Sequence, residues 1–589
     1  MRCCKLDFSV LPPLSATQPL AELIEKARAA YQQQDTTTAE FITLQVLELT
    51  PASPPALRLL YELRKQTQPR AAEALLRRLV TIDPNDFGLT NELTLLLLNL
   101  GKLAEAEIHA RNAVRIAPEH AQAHHLMGMV MTSSNRPQFG EYHYRRALEL
   151  AAGRETILLD NFAWNQKNQG KMEAGRALYQ EALALDPRNL QTLLGWAQLE
   201  EADRHFDKAS DLLTQAEEIV PGQPSVLLSR AVLHGRTRAY DQALAVLDEI
   251  ARSRKDGALT PGELLEKGRL LDRLGHYDEA FAAFTEGKRL LRQYSGQEYL
   301  ANHAQRLVDR LTGFFTKGRI NITPRAGRNA SSPQPIFILG FPRSGTTLIE
   351  QTLTAHPLIS AGDELPFVNE IVGIMPRMLA SPFSYPEALT ELWMADQRNG
   401  LENLRDYYLQ RAAQFGVADP AKPWFTDKMP LNETHLGLIS LMLPESPLVH
   451  VVRHPLDVMV SVFSNVLTHG FYCAYSLESA ARHFVLISEL IDHYRAELAL
   501  KYLPVRYEHL VDHQELTVRE ILDFVGVPFD PRCLHFEKNQ RYARTASYAQ
   551  VTEKLYDRSR YRYRHYLRQL EPIIPILEPV IHKLGYAID

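Results

Sequence analysis

Apolar residues recur at helical spacing along the first half of the chain, and the pattern repeats. Six of the helical segments end in a similar short motif: LELTP, VTIDP, VRIAP, LELAA, LALDP and EEIVP. The last residues of these motifs are Pro51, Pro84, Pro118, Ala152, Pro187 and Pro221. Successive ends lie 33 to 35 residues apart, which predicts a repeated pair of helices. Proline ends the second helix of each pair because it lacks a backbone donor.

Small residues recur at fixed places in this repeat. Gly101 and Gly170 each lie seventeen residues before a repeat end, and an alanine lies five residues before each of the last four ends, at Ala113, Ala147, Ala182 and Ala216. Small residues let paired helices approach closely, and one pair cannot bury its own apolar face, so pairs stack into a solenoid. Over about residues 21–291 the pattern resembles the tetratricopeptide repeat. We therefore expect an all-α solenoid over residues 18–295.

Repeat arrays of this kind often hold a peptide or a protein in a concave groove. An array that packs only against the rest of the chain, or that mediates self-association, explains the repeats equally well. His124 and His125, inside the array, lack the spacing of a helical metal pair, and we interpret them as exposed helix residues. The polar segment NITPRAGRNASSPQP has no apolar periodicity. It predicts that residues 296–334 form a connecting helix and a linker.

After the linker, short apolar segments alternate with helical ones. IFILG, LVHVVR and YLPVRYEHL have the length and composition of strands. Strands that alternate with helices predict a parallel α/β sheet, with ligand sites at the carboxyl ends of its strands. The predicted fold class is therefore α plus α/β: an N-terminal all-α solenoid, then a P-loop-like domain with a parallel sheet over residues 335–589.

The loop GFPRSGTT follows the first of these strands. Gly340 and Gly345 keep the spacing of a phosphate-binding loop, but Thr346 occupies the position of its lysine. Backbone N–H groups and the start of the next helix can still hold an anion. The strand LVHVV ends in Arg453, where a magnesium ligand would have to be a carboxylate. These residues favour an anion held by cations and disfavour a magnesium-dependent NTPase, and no metal site is predicted.

A second cation and a hydroxyl group lie beyond this loop. Arg453 ends a predicted strand, and Ser461 lies eight residues on, inside the next helix. An arginine and a hydroxyl that converge there can bind a second phosphate. One ligand with two separate phosphate groups is 3′-phosphoadenosine-5′-phosphosulfate, PAPS.

These motifs resemble the sulfotransferase family, and within it the tyrosylprotein sulfotransferase group. FILGFPRSGTTLIEQTL is similar to the family's 5′-phosphosulfate loop, and VRHPLDVMVS is similar to its 3′-phosphate element. AHPLISAGDELPF is similar to the family's HP and Gly-acid-acid stretch, and FTDKMP, PVRYEHLV and RTASYAQV are weaker matches. The resemblance covers about residues 335–589.

The resemblance implies a role for each matching residue. Those expected to bind the 5′-phosphosulfate are Arg343, Ser344, Gly345, Thr346 and Thr347. Arg453 and Ser461 are expected to bind the 3′-phosphate, Tyr507 to lie near the adenosine, and Arg560 to replace a nucleotide-binding lysine. Glu364 matches the general base. Lys428 and Ser547 match groups that stabilise the leaving phosphate.

The resemblance implies a PAPS-dependent sulfotransferase that moves a sulfuryl group to an acceptor hydroxyl, preferably that of a protein or peptide tyrosine. Leu365 and Pro366 stand where the tyrosine enzymes have a Thr-Arg pair that helps hold the acceptor. A carbohydrate, lipid or small-molecule hydroxyl therefore remains an alternative acceptor. Two other classes remain open: a non-catalytic repeat scaffold that binds nucleotide, and a P-loop kinase.

Charge and composition add little to this hypothesis. The net charge is −5 and the pI about 6.5, so no nucleic-acid partner is indicated globally. Residues 541–568 carry eight Lys/Arg and two acidic residues, and we attribute them to a local nucleotide site or to an acidic partner. No apolar run approaches the roughly 18 residues that span a membrane. Four cysteines without metal spacing favour free thiols and a cytoplasmic protein.

Overall fold

The computed structural model describes residues 19–134, 136–394, 397–467, 470–539, 555 and 559–588. The chain divides into two compact units, Met1–Leu199 and Glu200–Asp589. The second unit contains the last repeat helices together with the sheet. The predicted domain boundaries, at 18–295, 296–334 and 335–589, stay a prediction.

The predicted array is helical throughout its described part. Its helices, in chain order, are α1 Leu20–Gln32, α2 Thr36–Leu49, α3 Pro54–Arg64, α4 Pro69–Ile82, α5 Phe87–Asn99, α6 Leu103–Ile116, α7 Ala121–Ser133, α8 Pro137–Leu150, α9 Thr156–Asn168, α10 Met172–Leu185, α11 Leu190–Ala202, α12 Phe206–Ile219, α13 Pro224–Arg236, α14 Tyr240–Ser253, α15 Pro261–Leu274 and α16 Tyr277–Ser295. Each even-numbered helix from α2 to α12 ends two residues before its predicted repeat end. The prediction of paired helices at this period is confirmed.

The small residues of the repeat have two different roles. The four recurring alanines are fully buried between helices, as predicted. For the two glycines the prediction was wrong: Gly101 and Gly170 have φ of 71° and 73°, and a side chain there would meet nothing within 4 Å. They let the chain turn in the left-handed conformation after a helix. Close approach instead needs glycines such as Gly268, where an added Cβ would lie 2.4 Å from Phe284.

The histidine pair of the array is not exposed, contrary to the prediction. His124 is buried, and its ring nitrogens lie 2.9 Å from His143 Nδ1 and 2.9 Å from the carbonyl oxygen of Pro118. His125 is partly buried, and its Nε2 lies 2.9 Å from Asn161 Nδ2. These contacts join neighbouring helices and account for both side chains as structural residues.

Two helices, α17 Ala301–Phe314 and α18 Lys317–Ile322, connect the array to the sheet. The segment that follows them is irregular, as predicted for a linker, but it is packed. Ala326 is buried, and its backbone N–H donates to the carbonyl of Leu441 at 2.9 Å.

The C-terminal sheet has five strands among the described residues: β1 Gln334–Leu339, β2 Ile359–Ser360, β3 Trp424–Asp427, β4 Leu448–Val452 and β5 Tyr502–Arg506. All neighbouring strands are parallel, in the order β2-β3-β1-β4-β5. The predicted fold class, an all-helical array followed by a parallel α/β sheet, is confirmed. The sequence predicted β1, β4 and β5, whereas β2 and β3 are too short to stand out as apolar runs.

Helices cover both faces of this sheet. They are α19 Thr346–Thr354, α20 Phe367–Met378, α21 Gly400–Gln414, α22 Leu436–Met442, α23 Pro455–Phe463, α24 Leu477–Glu497, α25 Tyr507–Asp512, α26 Gln514–Val525, α27 Leu567–Leu570 and α28 Ile574–Lys583. On one face, Ile336 and Ile338 of β1 pack with Val449 of β4 against apolar residues of α19 and α26. No helix within the described ranges is long and apolar enough to cross a membrane.

Candidate active site

The loop predicted to bind the phosphosulfate lies between the end of β1 and the start of α19. We call residues 340–347 the anion loop. Gly340 has φ of 149°, and an added Cβ would lie 2.4 Å from Ser344 Oγ and 2.9 Å from the carbonyl oxygen of Val451. Arg343 has φ of 74°, which is uncommon for a residue with a side chain. The sequence therefore holds this loop in a tight, left-handed conformation.

Gly345 brings the anion loop against Tyr507. Its φ is 113°, and an added Cβ would lie 2.6 Å from Tyr507 Cδ2. The Tyr507 ring is buried in the core beside β4 and β5. Its face lies 4.7 Å from the Arg453 guanidinium carbon, a cation–π contact. Tyr507, predicted to lie near an adenosine, thus also positions Arg453.

The two arginines predicted to bind phosphate groups are hydrogen-bonded to each other, and one of them, Arg343, to Ser461. Arg343 Nε donates to Ser461 Oγ at 3.1 Å, and Arg453 Nη1 donates to the backbone carbonyl of Arg343 at 3.1 Å. The three residues come from the anion loop, from the end of β4 and from α23. Because β1 and β4 are parallel neighbours, their carboxyl ends deliver these side chains to one edge of the sheet.

One polar atom of Arg453, its Nε, is positioned to donate to a ligand. Its Nη2 donates to the carbonyl oxygen of Ser559 and lies 3.5 Å from Asp457 Oδ2. Its Nε is buried and has no hydrogen-bond partner among the described residues, and the same holds for Ser344 Oγ in the anion loop. A buried donor without a partner is costly, so these two atoms fit a site completed by an anion.

Asp457 is a residue of this site that the sequence analysis missed. Its carboxylate accepts the backbone N–H groups of Tyr561 at 2.7 Å and of Tyr563 at 2.9 Å. This contact places the segment that contains Ser559 against Arg453. In the sequence, Asp457 looks like an ordinary acidic residue in the first turn of a helix. Its hydrogen-bond partners lie more than 100 residues further along the chain and could not be predicted.

Thr346 and Thr347 begin α19 and are buried. Because both residues begin a helix, their backbone N–H groups are not used within it and face the anion loop. The partial positive charge at a helix N-terminus favours an anion there. This agrees with the predicted strand, loop and helix order around GFPRSGTT.

Glu364 and Lys428 form an ion pair near the end of β3. Lys428 Nζ lies 2.7 Å from Glu364 Oε1, and the side chains are 1% and 13% exposed. Burial alone would lower the pKa of Lys428, but the carboxylates of Glu364, Glu350 and Asp363 outweigh it, so its pKa lies above the usual lysine value. Lys428 is therefore a fixed cation beside a carboxylate that keeps some contact with solvent.

The turn that carries Glu364 is held by a buried network. Glu350 Oε1 accepts from Thr426 Oγ1 at 2.8 Å and from the N–H of Asp363 at 2.9 Å. The N–H of Gly362 donates to Thr426 Oγ1 at 3.0 Å. A Cβ on Gly362 would lie 1.9 Å from the Thr426 carbonyl oxygen. Glycine at this position therefore lets the turn lie directly on β3.

Asp427, next to Lys428, hydrogen-bonds to different residues from those that contact Lys428. Tyr408 donates to its Oδ2 at 2.6 Å and Asn432 to its Oδ1 at 3.1 Å. Burial raises its pKa to about 7, and these two hydrogen bonds oppose the rise. The pair fixes the end of β3, from which Lys428 projects.

The other predicted residues lie elsewhere or outside the described chain. Arg560 Nη1 donates to Asp512, and Arg562 Nε donates to Asp272 at 2.9 Å. These arginines of the basic segment thus pair with carboxylates of this chain. Ser547, with most of that segment, lies outside the described residues.

A cavity of about 240 Å³ reaches the back of the anion loop. Residues of β4, β5 and α24 line it, together with Phe341, Ser344 and Arg453. Neither Glu364 nor Lys428 is among the described residues that line it. The ion pair is therefore not part of the lining of this cavity.

Two family profiles match this chain. Residues 335–531 match the Sulfotransferase family, and residues 57–121 match the Tetratricopeptide repeat. The first range contains the anion loop, the ion pair and Arg453, and the second lies within the repeat array.

Individual proteins are also similar to this chain. An uncharacterized protein of Aquifex aeolicus is 30% identical over 73% of this chain and 55% of its own length. Protein-tyrosine sulfotransferase 1 of Danio rerio is 27% identical over 41% of this chain and 69% of its own length. Protein-tyrosine sulfotransferase A of Caenorhabditis elegans is 28% identical over 36% and 54%. The chain thus spans roughly half to two thirds of the length of these relatives.

Among solved structures, a tetratricopeptide repeat protein from Parabacteroides merdae covers 43% of this chain at 16% identity, with a TM-score of 0.39. The helical array and the parallel sheet described above, together with the two family matches, agree with the resemblances found in the sequence. The chain thus combines a helical array that is similar to the Tetratricopeptide repeat with a C-terminal part, over residues 335–531, that matches the Sulfotransferase family.

Proposed function

We propose that this protein is a PAPS-dependent sulfotransferase that transfers a sulfuryl group to an acceptor hydroxyl. The observation that carries the proposal is the convergence of Arg343, Arg453 and Ser461. Two arginines from separate elements and one hydroxyl group lie within one hydrogen-bonded set. Such a set suits a ligand with two separate phosphate groups, because arginine pairs strongly with phosphate oxygens.

The residues of the anion loop are assigned to the 5′ end of the donor. Ser344, Gly345, Thr346 and Thr347 would offer backbone N–H groups and hydroxyls there, and the buried Ser344 Oγ has no described partner. Arg453 and Ser461 are assigned to the 3′-phosphate. Every donor in this set is a cation, a hydroxyl or an amide, so we propose that donor binding needs no metal ion.

Glu364 and Lys428 are assigned to the transfer step. Glu364 accepts the proton of the acceptor hydroxyl while that oxygen forms a bond to sulfur. Lys428 and Arg343 stabilise the negative charge on the phosphate oxygen that leaves as its bond to sulfur breaks. The ion pair suits both tasks, since Lys428 Nζ holds Glu364 Oε1 at 2.7 Å and places a fixed cation beside the carboxylate.

We propose a protein or peptide tyrosine as the acceptor. Relatives named as protein-tyrosine sulfotransferases support this choice, and a phenol with a pKa of about 10 is more easily deprotonated than an alkyl alcohol. Leu365 and Pro366 differ from the Thr-Arg pair of the tyrosine enzymes, so a carbohydrate, lipid or small-molecule hydroxyl is the second candidate. We assign acceptor or partner binding to the repeat array.

We further propose a reducing, cytoplasmic location. Cys473 and Cys533 are buried free thiols, and burial raises the pKa of each to about 12. Thiols of this kind are inert and need no oxidising compartment.

The activity is tested with radiolabelled PAPS and a panel of acceptors: acidic tyrosine peptides, matched phenylalanine peptides, oligosaccharides and simple phenols. Label on tyrosine peptides alone supports the preferred acceptor. Label on a sugar or a small phenol alone keeps the sulfotransferase and replaces its acceptor. If the protein binds PAP, the desulfated donor, but transfers label to none of these acceptors, the non-catalytic nucleotide-binding scaffold is favoured instead.

A further inference from the structure

The last repeat pair, α15 and α16, is built into the sulfotransferase domain. Lys288 of α16 is 1% exposed. Its Nζ donates to the carbonyl of Asn465 at 2.6 Å and to that of Val462 at 3.2 Å. A lysine this deeply buried is unusual, and its partners are backbone atoms nearly 180 positions further along the chain.

The carbonyl of Val462 lies in the last turn of α23, the helix that carries Ser461, and the carbonyl of Asn465 lies just beyond the end of that helix. The last carbonyls of a helix have no partner within the helix and carry partial negative charge. Lys288 supplies a hydrogen for each carbonyl, and it does so whether its amine is charged or neutral. The end of α23 is therefore satisfied by a residue of the repeat array.

The contacts continue from this end of the helix to the anion loop. Asn465 Nδ2 donates to the carbonyl of Ser461 at 2.8 Å, and Ser461 Oγ accepts from Arg343 at 3.1 Å. The path from Lys288 to Arg343 thus runs through Asn465 and Ser461 alone.

Further contacts hold the same repeat pair in place. Arg269 of α15 donates to the carbonyl of Ser464 at 3.4 Å, and Phe281 of α16 packs on Phe463 with ring centroids 5.5 Å apart. Asp272 accepts from Arg562 and Tyr566, in the segment that follows Ser559. The pair therefore contacts both the helix of Ser461 and the segment that holds Arg453.

We propose that Lys288 is a positioning residue for the donor site, which sets Ser461 against the 3′-phosphate through the end of α23. This inference rests on the proposed function. It assigns the last repeat pair to the nucleotide site, whereas the earlier repeats remain available to bind a partner.

The test compares two nucleotides by calorimetric titration: PAP, which has the 3′-phosphate, and 5′-AMP, which lacks it. Lys288→Met keeps the length of the side chain but removes both hydrogen bonds. We expect PAP affinity to fall about tenfold, the lower end of the loss that follows removal of a group that orients a metal ligand, and 5′-AMP affinity to change less than twofold. Lys267→Met is the matched control, because Lys267 lies in α15 and pairs on the surface with Asp248; it should change neither affinity.

The outcomes separate the two proposals. If the unaltered protein does not bind PAP, the proposed function fails, and this inference fails with it. If the unaltered protein binds PAP and Lys288→Met lowers neither affinity, or lowers both equally, Lys288 does not position Ser461 and only the inference is overturned.

A second variant covers the case in which Lys288→Met does not fold. Arg269→Gln removes a partly exposed contact to the same helix end, so the protein should remain folded. We expect a two- to threefold loss in PAP affinity, about 0.4–0.7 kcal/mol, with 5′-AMP unchanged. Hydrogen exchange over residues 455–465 should also become faster in this variant. Unchanged exchange together with unchanged PAP affinity would overturn the proposal.

Discussion

Lys428 Nζ lies 2.7 Å from Glu364 Oε1, in an ion pair whose lysine is almost wholly buried. The two residues come from different elements: Lys428 follows β3, and Glu364 lies in the turn after β2. Because β2 and β3 are parallel neighbours, their carboxyl ends bring the pair together. A carboxylate held in this way suits a general base, and the lysine beside it suits a leaving phosphate.

Glu364→Gln should abolish most of the transfer while leaving PAP binding intact. The amide cannot accept the acceptor proton, and a general base typically contributes about 10²–10⁴ in rate. The measurement is the initial rate of label transfer, beside a PAP titration. Glu445→Gln, at an exposed residue that pairs with Arg328, is the control and should keep the full rate. A near-normal rate in Glu364→Gln would assign the base to another group.

Lys428→Met should lower the transfer rate by about 10²–10³, the usual cost of removing a group that stabilises developing charge. It should also destabilise the protein, since Glu364 loses its buried partner. Lys422→Met is the control, because Lys422 is partly exposed and donates a long hydrogen bond, at 3.4 Å, to the carbonyl of Ile359 in β2. Equal rates in the two variants would remove Lys428 from the transfer step.

Gly362→Ala should destabilise the C-terminal unit by about 1–3 kcal/mol, the usual cost of overpacking. The added methyl would lie 1.9 Å from the Thr426 carbonyl oxygen, so the turn that carries Glu364 must move. Denaturant unfolding gives the change, and the transfer rate should fall with it. Gly373→Ala, in the middle of α20, should be neutral or stabilising, because an added Cβ there would meet nothing within 4 Å. Equal unfolding midpoints for both variants would contradict the geometry of this turn.

Asp272→Asn should destabilise the protein by about 3 kcal/mol, because it leaves the Arg562 guanidinium partly buried without its carboxylate. Asp278→Asn is the matched change on the next helix, at an exposed side chain that accepts from Gln569. It should cost well under 1 kcal/mol. Comparable losses in the two variants would mean that the repeat pair is not anchored through Asp272.

Stability should depend on pH through Lys288. Burial lowers its pKa from 10.5 to about 7, so between these values the unfolded chain binds more protons than the folded one, and stability rises with pH. Lys288→Met lacks this contribution. The difference in unfolding midpoint, unaltered protein minus Lys288→Met, should therefore grow from pH 7 to pH 9 and stay level below pH 7. Lys267→Met should run parallel to the unaltered protein. A constant difference for Lys288→Met would show an ordinary lysine pKa.

The sequence predicted those features that depend on neighbouring residues. The repeat period, the strand and helix around the anion loop, and the position of Arg453 after a strand with Ser461 in the next helix are all local patterns, and the structure contains each of them. That Arg453 and Ser461 bind a phosphate stays a prediction. The strands β2 and β3 were missed because two and four residues carry too little periodicity.

Contacts between distant residues could not be predicted. In the sequence, Lys288 cannot be distinguished from an exposed lysine of an amphipathic helix, because its partners at the end of α23 are distant in the chain. Arg562 likewise resembles part of a basic surface, because nothing near it in the sequence indicates its contact with Asp272. The turn glycines were also misinterpreted, because a glycine used for left-handed backbone and one used for close packing look alike in a sequence.

The most direct test of the account is calorimetric titration with PAP in the presence of EDTA, and with ATP plus Mg²⁺, on the unaltered protein, on Arg453→Ala and on Arg519→Ala. Arg519 is a surface residue that pairs with Glu515, so its variant controls for the loss of one positive charge. We predict metal-independent PAP binding that falls at least about 100-fold in Arg453→Ala and is unchanged in Arg519→Ala, as expected for a buried charged hydrogen bond to phosphate. Magnesium-dependent binding of ATP, without detectable binding of PAP, would contradict the account and assign the anion loop to a nucleoside triphosphatase or a kinase.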